Sequence, residues 1–234
     1  MQLFYNKNIN INDVTFVFDK EESKHIIKVL RKQEGDILFV TNGLGYLFTT
    51  KISLASDSKC TIHIESYKKQ EAPKFNLHIA VAPTKMNERY EWLLEKITEI
   101  GCQEITPIIC DHSERKIIKM ERFQKIIESA MKQSLHFYIP KLNDPIVFKD
   151  FIAQPFLGQK FIAHCEETDK KSLKNSLQLN QDCMVCIGPE GDFSVKEINA
   201  ALAQNFVPVS LGDTRLRTET AAIVACHTVV LSNE

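Results

Sequence analysis

Residues 183–197 read Cys-Met-Val-Cys-Ile-Gly-Pro-Glu-Gly-Asp-Phe-Ser-Val-Lys-Glu, and this order of side chains decides the architecture of the second half of the chain. Cys183 to Ile187 is an unbroken apolar run of strand length, which predicts a strand buried on both faces. Gly188 and Gly191 permit backbone conformations that other residues avoid, and Pro189 fixes φ between them. Ser194 and Glu197 stand three apart, the spacing of a capping box that opens a helix. The stretch is a strand, a rigid turn and a capped helix. In an open α/β sheet, ligands bind outside the carboxyl ends of strands, where this turn lies. By geometry alone, a plain connecting turn has the same residues.

A second segment repeats the pattern. Leu211-Gly212-Asp213-Thr214-Arg215-Leu216-Arg217-Thr218-Glu219-Thr220 leads from a strand over Val207 to Leu211 into a helix over Thr218 to Leu231. The free N–H groups of a first helical turn attract negative charge, which Glu219 complements. Thr218 also suits an N-cap, and Arg215 a solvated surface charge. Two such loops on one sheet edge favour a site over two turns.

Working outward, strands and helices alternate from residue 77 onward. Leu77 to Ala82, Ile105 to Cys110 and Phe161 to Ala163 read as strands. Asn87 to Ile100 and Met120 to Leu135 read as helices, the first with Gly101 just past its end. Repeated strand–helix units with continuous apolar strands imply a parallel sheet covered on both faces. Cys183 and Cys186 have CxxC spacing, but residues i and i+3 of a strand point to opposite faces, so they read as two buried thiols. His78 and His227 lie on apolar elements and read as satisfied core histidines.

Residues 1–70 have a different rhythm. Val14 to Phe18, Ile37 to Val40, Tyr46 to Thr50 and Cys60 to Ile64 are short β-type runs, with Asn42-Gly43 as a turn signal. Glu21 to Lys32 is helical, with Ile26, Val29 and Leu30 on one side and Lys24, Lys28, Arg31 and Lys32 on the other. Many strands and one helix suggest a small barrel. The polar stretch Lys68 to Pro73 is the linker candidate. The expected domains are 1–70 and 74–234.

Among 234 residues, 29 are Lys or Arg and 30 Asp or Glu, for a net charge of -1. That balance argues against a protein that grips nucleic acid anywhere on its surface. Divided along the chain, residues 1–70 carry +2 and residues 151–234 carry -3, so positive charge collects on the barrel. Seven scattered cysteines predict free thiols in a reducing cytoplasm, and the N-terminus lacks a signal-peptide pattern. No apolar run reaches the ~18 residues of a membrane helix. Gly43-Leu44-Gly45 lacks a third glycine, and P-loop and His-Glu-x-x-His patterns are absent, so neither a dinucleotide fold nor a metal site is expected.

The two loop segments, IGPEGDFSVKEI and LGDTRLRTETAA, resemble the C-terminal motifs of the RsmE family of 16S rRNA uridine-N3 methyltransferases, in the SPOUT superfamily. HIIKVLR (His25 to Arg31), KMNERYEWLLEKITEIG (Lys85 to Gly101), and HSER with ERFQKIIESAMKQS are similar to that family's other segments, in its order. The resemblance implies an α/β chain with an N-terminal PUA-like β-barrel and a C-terminal SPOUT α/β domain tied in a trefoil knot. The bottom-up reading alone draws an unknotted doubly wound sheet. The resemblance also implies S-adenosylmethionine as methyl donor, 16S rRNA as partner and a homodimer. By position, donor binding falls on Cys165, Ile187, Gly188, Gly191, Leu211, Gly212, Leu216 and Thr218, with the strand end near His164 as a further wall. Arg217 is the first choice for stabilising a uridylate anion. Glu190 and Glu219 are candidate bases or structural caps. RNA contacts fall on Lys24, His25, Lys28, Arg31, Lys85, Arg89 and Arg115. Three departures stand out. Asp192 replaces a glycine. Leu135-His136-Phe137-Tyr138 replaces a stretch with Gly and Arg, leaving His136 and Tyr138 to stack on bases. Asp213-Thr214 replaces Pro-Arg. Another structured RNA as substrate, or an inactive RNA-binding protein, remains the alternative.

Overall fold

The computed structural model describes residues 1–166 and 169–234. It divides into two compact units, Met1–Ala72 with Met131–Ile139, and Pro73–Ala130 with Pro140–Glu234.

The first unit holds β1 (Leu3–Tyr5), β2 (Thr15–Val17), α1 (Lys20–Lys24), a π-turn (His25–Val29), β3 (Ile37–Thr41), β4 (Tyr46–Leu54) and β5 (Thr61–Lys69). Its sheet order is β1-β3-β4-β5-β2, with only the β1–β3 pair parallel. Register shifts between Thr49 and Thr50 and between Ile52 and Leu54 mark irregularities where β4 can bend over its core of Phe4, Phe18, Ile26, Val40, Phe48 and Ile62. Among the described residues no pairing joins β2 to β1, so the expected barrel is a curled open sheet. Lys68 and Lys69, expected in a linker, pair with Leu47 and Tyr46 as the end of β5.

Asp19 caps α1 by accepting the Glu22 N–H at 2.8 Å. The helix then widens: Leu30 N–H reaches back five residues to His25 O at 3.0 Å. The extra residue per turn breaks the expected apolar stripe. Ile26 stays buried, whereas Val29 turns out to solvent at 67% exposure. Arg31, at φ 55°, ends the helix in the left-handed position usually given to glycine. Leu135, at φ 59°, ends the second long helix in the same way. Leu135 opens the stretch in which the resembled family carries Gly and Arg. The following residues, to Ile139, close the first unit. Gly45 N–H donates to Phe137 O at 2.8 Å, and a Cβ on Gly45 would collide with the Tyr138 ring. Tyr138 donates its hydroxyl to Gln70 O at 3.1 Å. That bond makes it part of the framework of this unit.

The second unit follows with β6 (Leu77–Val81), α2 (Asn87–Ile100), β7 (Glu104–Ile109), α3 (Met120–Gln133, whose last turn belongs to the first unit), β8 (Lys141–Leu142), β9 (Ile146–Val147), α4 (Phe148–Ile152), β10 (Gln159–Ala163), β11 (Lys171–Ser172), α5 (Leu173–Ser176), β12 (Cys183–Ile187), α6 (Val195–Ala203), β13 (Val207–Ser210) and α7 (Thr218–Ser232). The strands form one parallel sheet in the order β11-β13-β10-β12-β6-β7-β8, and β9 also pairs with β7. The predicted parallel sheet is present. Its central strands β6 and β12 are buried along their whole length, which is why they read as continuous apolar runs. Tyr90, Leu93, Leu94 and Ile97 give α2 its buried face, and Tyr90 stacks on Phe123 with ring centroids 4.9 Å apart.

Cys183 and Cys186 are buried, and burial pushes the Cys183 thiol up to about 12. His78 is the expected core histidine: its Nε2 lies 2.7 Å from Thr106 Oγ1, and burial lowers its pKa to about 4. His227 is different. It sits on α7 facing solvent, and the core role expected for it does not hold.

Candidate functional site

β12 and β13 both end at the carboxyl edge of the sheet, and each runs into one of the two loop segments. The loops meet in a cleft of about 770 Å³. Ile187, Gly188, Pro189, Glu190 and Asp192 form one wall. The whole run Leu211–Thr218 forms the second, and His164, Cys165, Glu166 and Lys170, beyond the end of β10, form the third.

The first loop is rigid because every turn of it is tied down. Gly188 needs its missing side chain: a Cβ there would meet the Phe193 ring at 3.0 Å and its backbone nitrogen at 3.1 Å. Thr218, expected as an N-cap, instead donates its buried hydroxyl to Gly188 O at 3.0 Å and ties the two loops together. Arg217 takes the N-cap position of α7 and makes no side-chain cap. The Glu190 carboxylate accepts the Lys85 N–H at 2.9 Å. His112 Nδ1 faces the carbonyl oxygens of Gly191 and Asp192 at 3.0 Å each, which requires the proton on that nitrogen. The capping box at Ser194 and Glu197 is present in full, and Glu197 also accepts the Asp111 N–H at 2.9 Å.

Of the residues expected to hold a donor, Cys165, Ile187, Gly188, Leu211, Gly212, Leu216 and Thr218 all line the cleft. Gly191 does not; it packs against His112, where a Cβ would stand 3.1 Å from the histidine Cβ. Among the catalytic candidates, Arg217 and Glu190 line the cleft. The Arg217 carbonyl accepts the Ala221 N–H at 2.7 Å, whereas its guanidinium has no hydrogen-bond or ion-pair partner among the described residues. Glu219 is turned away from the cleft, buried at the start of α7 with its Oε1 3.7 Å from Arg89 Nη1. That position corrects its reading as a base at the cleft.

The residues expected to meet RNA separate into two groups. Lys24, His25, Lys28 and Arg31 lie on the first unit. Lys24 and Arg31 are exposed, His25 lies 3.2 Å from Glu22, and Lys28 is 3.4 Å from Asp57 in a solvent-screened pair. Lys85, Arg89 and Arg115 lie on the second. Arg115 spends its guanidinium on the backbone, donating to Lys85 O at 2.6 Å and to Thr84 O at 3.2 Å. Lys85 Nζ pairs with Glu114 at 2.8 Å, and that hydrogen bond raises the ammonium's pKa. Arg89 faces Glu219. Lys85 and Arg115 therefore build the surroundings of Glu190, and Arg89 those of Glu219.

Sequence reasoning missed His112 and Lys170, whose positions only the fold reveals. The HSER run carried the one usable signal, since its His112, Ser113 and Arg115 each bond to backbone, His112 to that of the Gly188–Asp192 loop. Among the described residues no group of three His, Cys, Asp or Glu side chains could hold a metal ion, and no helix is long and apolar enough to cross a membrane.

A parallel α/β sheet with a cleft built from glycine-bearing loops at its carboxyl edge, preceded by a small curled sheet, defines a class of two-part, ligand-binding α/β proteins. Comparison with known proteins narrows it. Residues 70–230 match the family described as RNA methyltransferase domain, and residues 18–65 match the RNA methyltransferase PUA domain. The chain belongs to the RNA methyltransferase family whose members are named ribosomal RNA small subunit methyltransferase E. One such member, from Buchnera aphidicola, is 32% identical over 96% of this chain and 90% of its own. A Porphyromonas gingivalis structure described as an rRNA-methyltransferase is 40% identical with a TM-score of 0.88, covering 97% of this chain and 95% of that one. A Legionella pneumophila methyltransferase solved with bound S-adenosylmethionine is 30% identical with a TM-score of 0.89, covering 99% and 97%.

Proposed function

We propose that this chain transfers a methyl group from S-adenosylmethionine to N3 of a uridine in 16S rRNA. The observation that carries the reading is the meeting of Gly188–Asp192 and Leu211–Thr218 in one cleft, in a chain of this family. The cleft suits the donor. Its volume lies in the range of small-molecule sites, ~300–1,000 Å³. Ile187, Val209, Leu211 and Leu216 supply apolar surface for an adenine ring, and Gly188 and Gly212 let backbone approach without a Cβ between. Cys165, Ile187, Gly188, Leu211, Gly212, Leu216 and Thr218 would hold the donor. When bound, it supplies a methyl group already activated on a sulfonium.

The protein's own residues do the rest. They align uracil N3 for in-line transfer within ~3–3.5 Å, which contributes by orientation alone. N3 carries a proton that must leave. Arg217, planar, always charged and without an internal partner, stabilises the uridylate anion. Glu190 is the remaining candidate base, because it is among the residues that line the cleft and Glu219 is not. The PUA-type first unit offers Lys24, His25, Lys28 and Arg31 to phosphates, and the chain's near-zero net charge favours a shaped ribosomal target over random RNA. The reading includes domains near residues 1–70 and 74–234. It also includes a trefoil-knotted path, supported by β12 lying between β10 and β6 and by the bond of Thr218 to Gly188. A homodimer completes it, supported by Met86 and Trp92, large apolar residues left about half exposed at α2.

The test is to map N3-methyluridine in 16S rRNA from cells with and without the gene, and to complement with Arg217→Ala. Loss of one modified uridine, not restored by Arg217→Ala although that variant binds donor within threefold of wild type, is the expected result. An unchanged methylation map overturns the reaction, and normal turnover by the variant overturns the role of Arg217.

A further inference from the structure

Asp192 stands at φ 63°, a backbone conformation that suits glycine. Aspartate tolerates it better than most residues, but at a cost. Its carboxylate shows what offsets that cost. Oδ1 accepts its neighbour's Phe193 N–H at 2.8 Å, and Oδ2 reaches across the cleft edge to accept the Cys165 N–H at 2.7 Å. The second bond joins the Gly188–Asp192 wall to the strip that follows β10.

The same strip is held from its other side. Lys170 donates to His164 O at 2.6 Å and to Glu166 O at 2.7 Å. Three polar backbone groups of the strip, His164 O, Cys165 N and Glu166 O, are thus taken up by two side chains of opposite charge. The strip lies beyond β10 and has no strand partner among the described residues, so without these bonds the three groups would rely on water. Bonds to charged groups are stronger than neutral ones, and both are short here.

We propose that Asp192 and Lys170 are a pair of positioning residues that brace His164–Glu166 as a fixed wall for the methyl donor. They act on donor affinity by removing the ordering that binding would otherwise require, and take no part in methyl transfer. The inference rests on the donor reading above and adds a role for the residue that departs from the family's glycine.

The test compares Asp192→Ala, Asp192→Asn and Lys170→Met in the full chain. Donor affinity is measured by calorimetry, kcat and KM by methylation of 30S subunits, and protection of the Cys165 amide by hydrogen exchange. Asp192→Ala is expected to raise Kd and KM for S-adenosylmethionine about tenfold with kcat at saturating donor within twofold, and to speed exchange at the Cys165 amide. Asp192→Asn, which keeps one acceptor oxygen, should raise KM only about threefold. Lys170→Met should raise KM while leaving the Cys165 amide protected. Unchanged KM in Asp192→Ala, or a loss confined to kcat, overturns the brace alone. A wild-type protein that binds no donor while its Cys165 amide is protected overturns the donor reading, and the brace's purpose with it.

Discussion

Thr218→Val replaces one hydroxyl with a methyl group and nearly preserves the shape of a buried side chain, so its effect isolates the bond to Gly188 O. No other donor reaches that carbonyl among the described residues. The variant therefore leaves a buried acceptor unsatisfied, which costs about 1–3 kcal/mol. The second unit has about 150 residues, a size at which each kcal/mol moves the melting temperature by ~2–4 °C. A fall of about 4–8 °C is expected for a cost near 2 kcal/mol. Two units need not melt together, so the transition must be followed in the right one. Trp92, the single tryptophan, lies on α2 in the second unit and reports on it by fluorescence. Because Gly188 lines the cleft, donor affinity by calorimetry should fall about tenfold, equivalent to ~1.4 kcal/mol. Thr218→Ser keeps the hydroxyl and should retain most of both. The reasoning fails if Thr218→Val melts and binds like wild type, or if Thr218→Ser is equally impaired.

Leu135→Gly should stabilise the protein by up to about 1 kcal/mol, since left-handed φ costs an L-residue ~1–2 kcal/mol and glycine gives back ~0.5–1 in entropy; a lower denaturation midpoint would show that the leucine packs usefully. His78 is held neutral by burial, with a folded pKa of about 4 against 6.5 unfolded, so it contributes stability above pH 6.5 that is lost as pH falls toward 4. Glu104 beside it, whose pKa is also lowered, adds loss in the same direction. His78→Gln should flatten the slope of stability against pH between 6.5 and 4 without abolishing it, and an unchanged slope would remove His78 from the account. Neutralising Lys28 and Arg31 to glutamine should weaken rRNA binding and lower the slope of log affinity against log salt by about 1.5, as for two lost phosphate contacts. A salt titration with the same slope as wild type would place the RNA elsewhere.

The elements that sequence reading found best are those whose pattern is local. β12 and α2 match their predicted ends, because one is an unbroken apolar run and the other has a clear stripe and a terminal Gly101. The capping box at Ser194 announced α6 for the same reason. What escaped was set by partners distant in sequence. β8, β9 and β11 are two residues long and exist only by pairing with strands already in place. The π-turn at His25–Val29 reversed the orientation of Val29 without any change of composition. In the site, glycine and arginine types pointed to the right loops, but Glu219 and Glu190 were indistinguishable as carboxylates. Only packing separates one that is buried against Arg89 from one that lines the cleft.

The return of Met131–Ile139 to the first unit bears on the order of synthesis. The ribosome finishes residue 72 long before residue 139, and the turn at Gly45 lacks its Phe137 acceptor and Tyr138 cover until then. At roughly 5–20 residues per second, the sheet waits several seconds for its last piece. A fragment cut at residue 72 would reproduce that waiting state permanently. The N-terminal unit is therefore better isolated by deleting residues 73–130 and joining 72 to 131 through a short linker than by truncation.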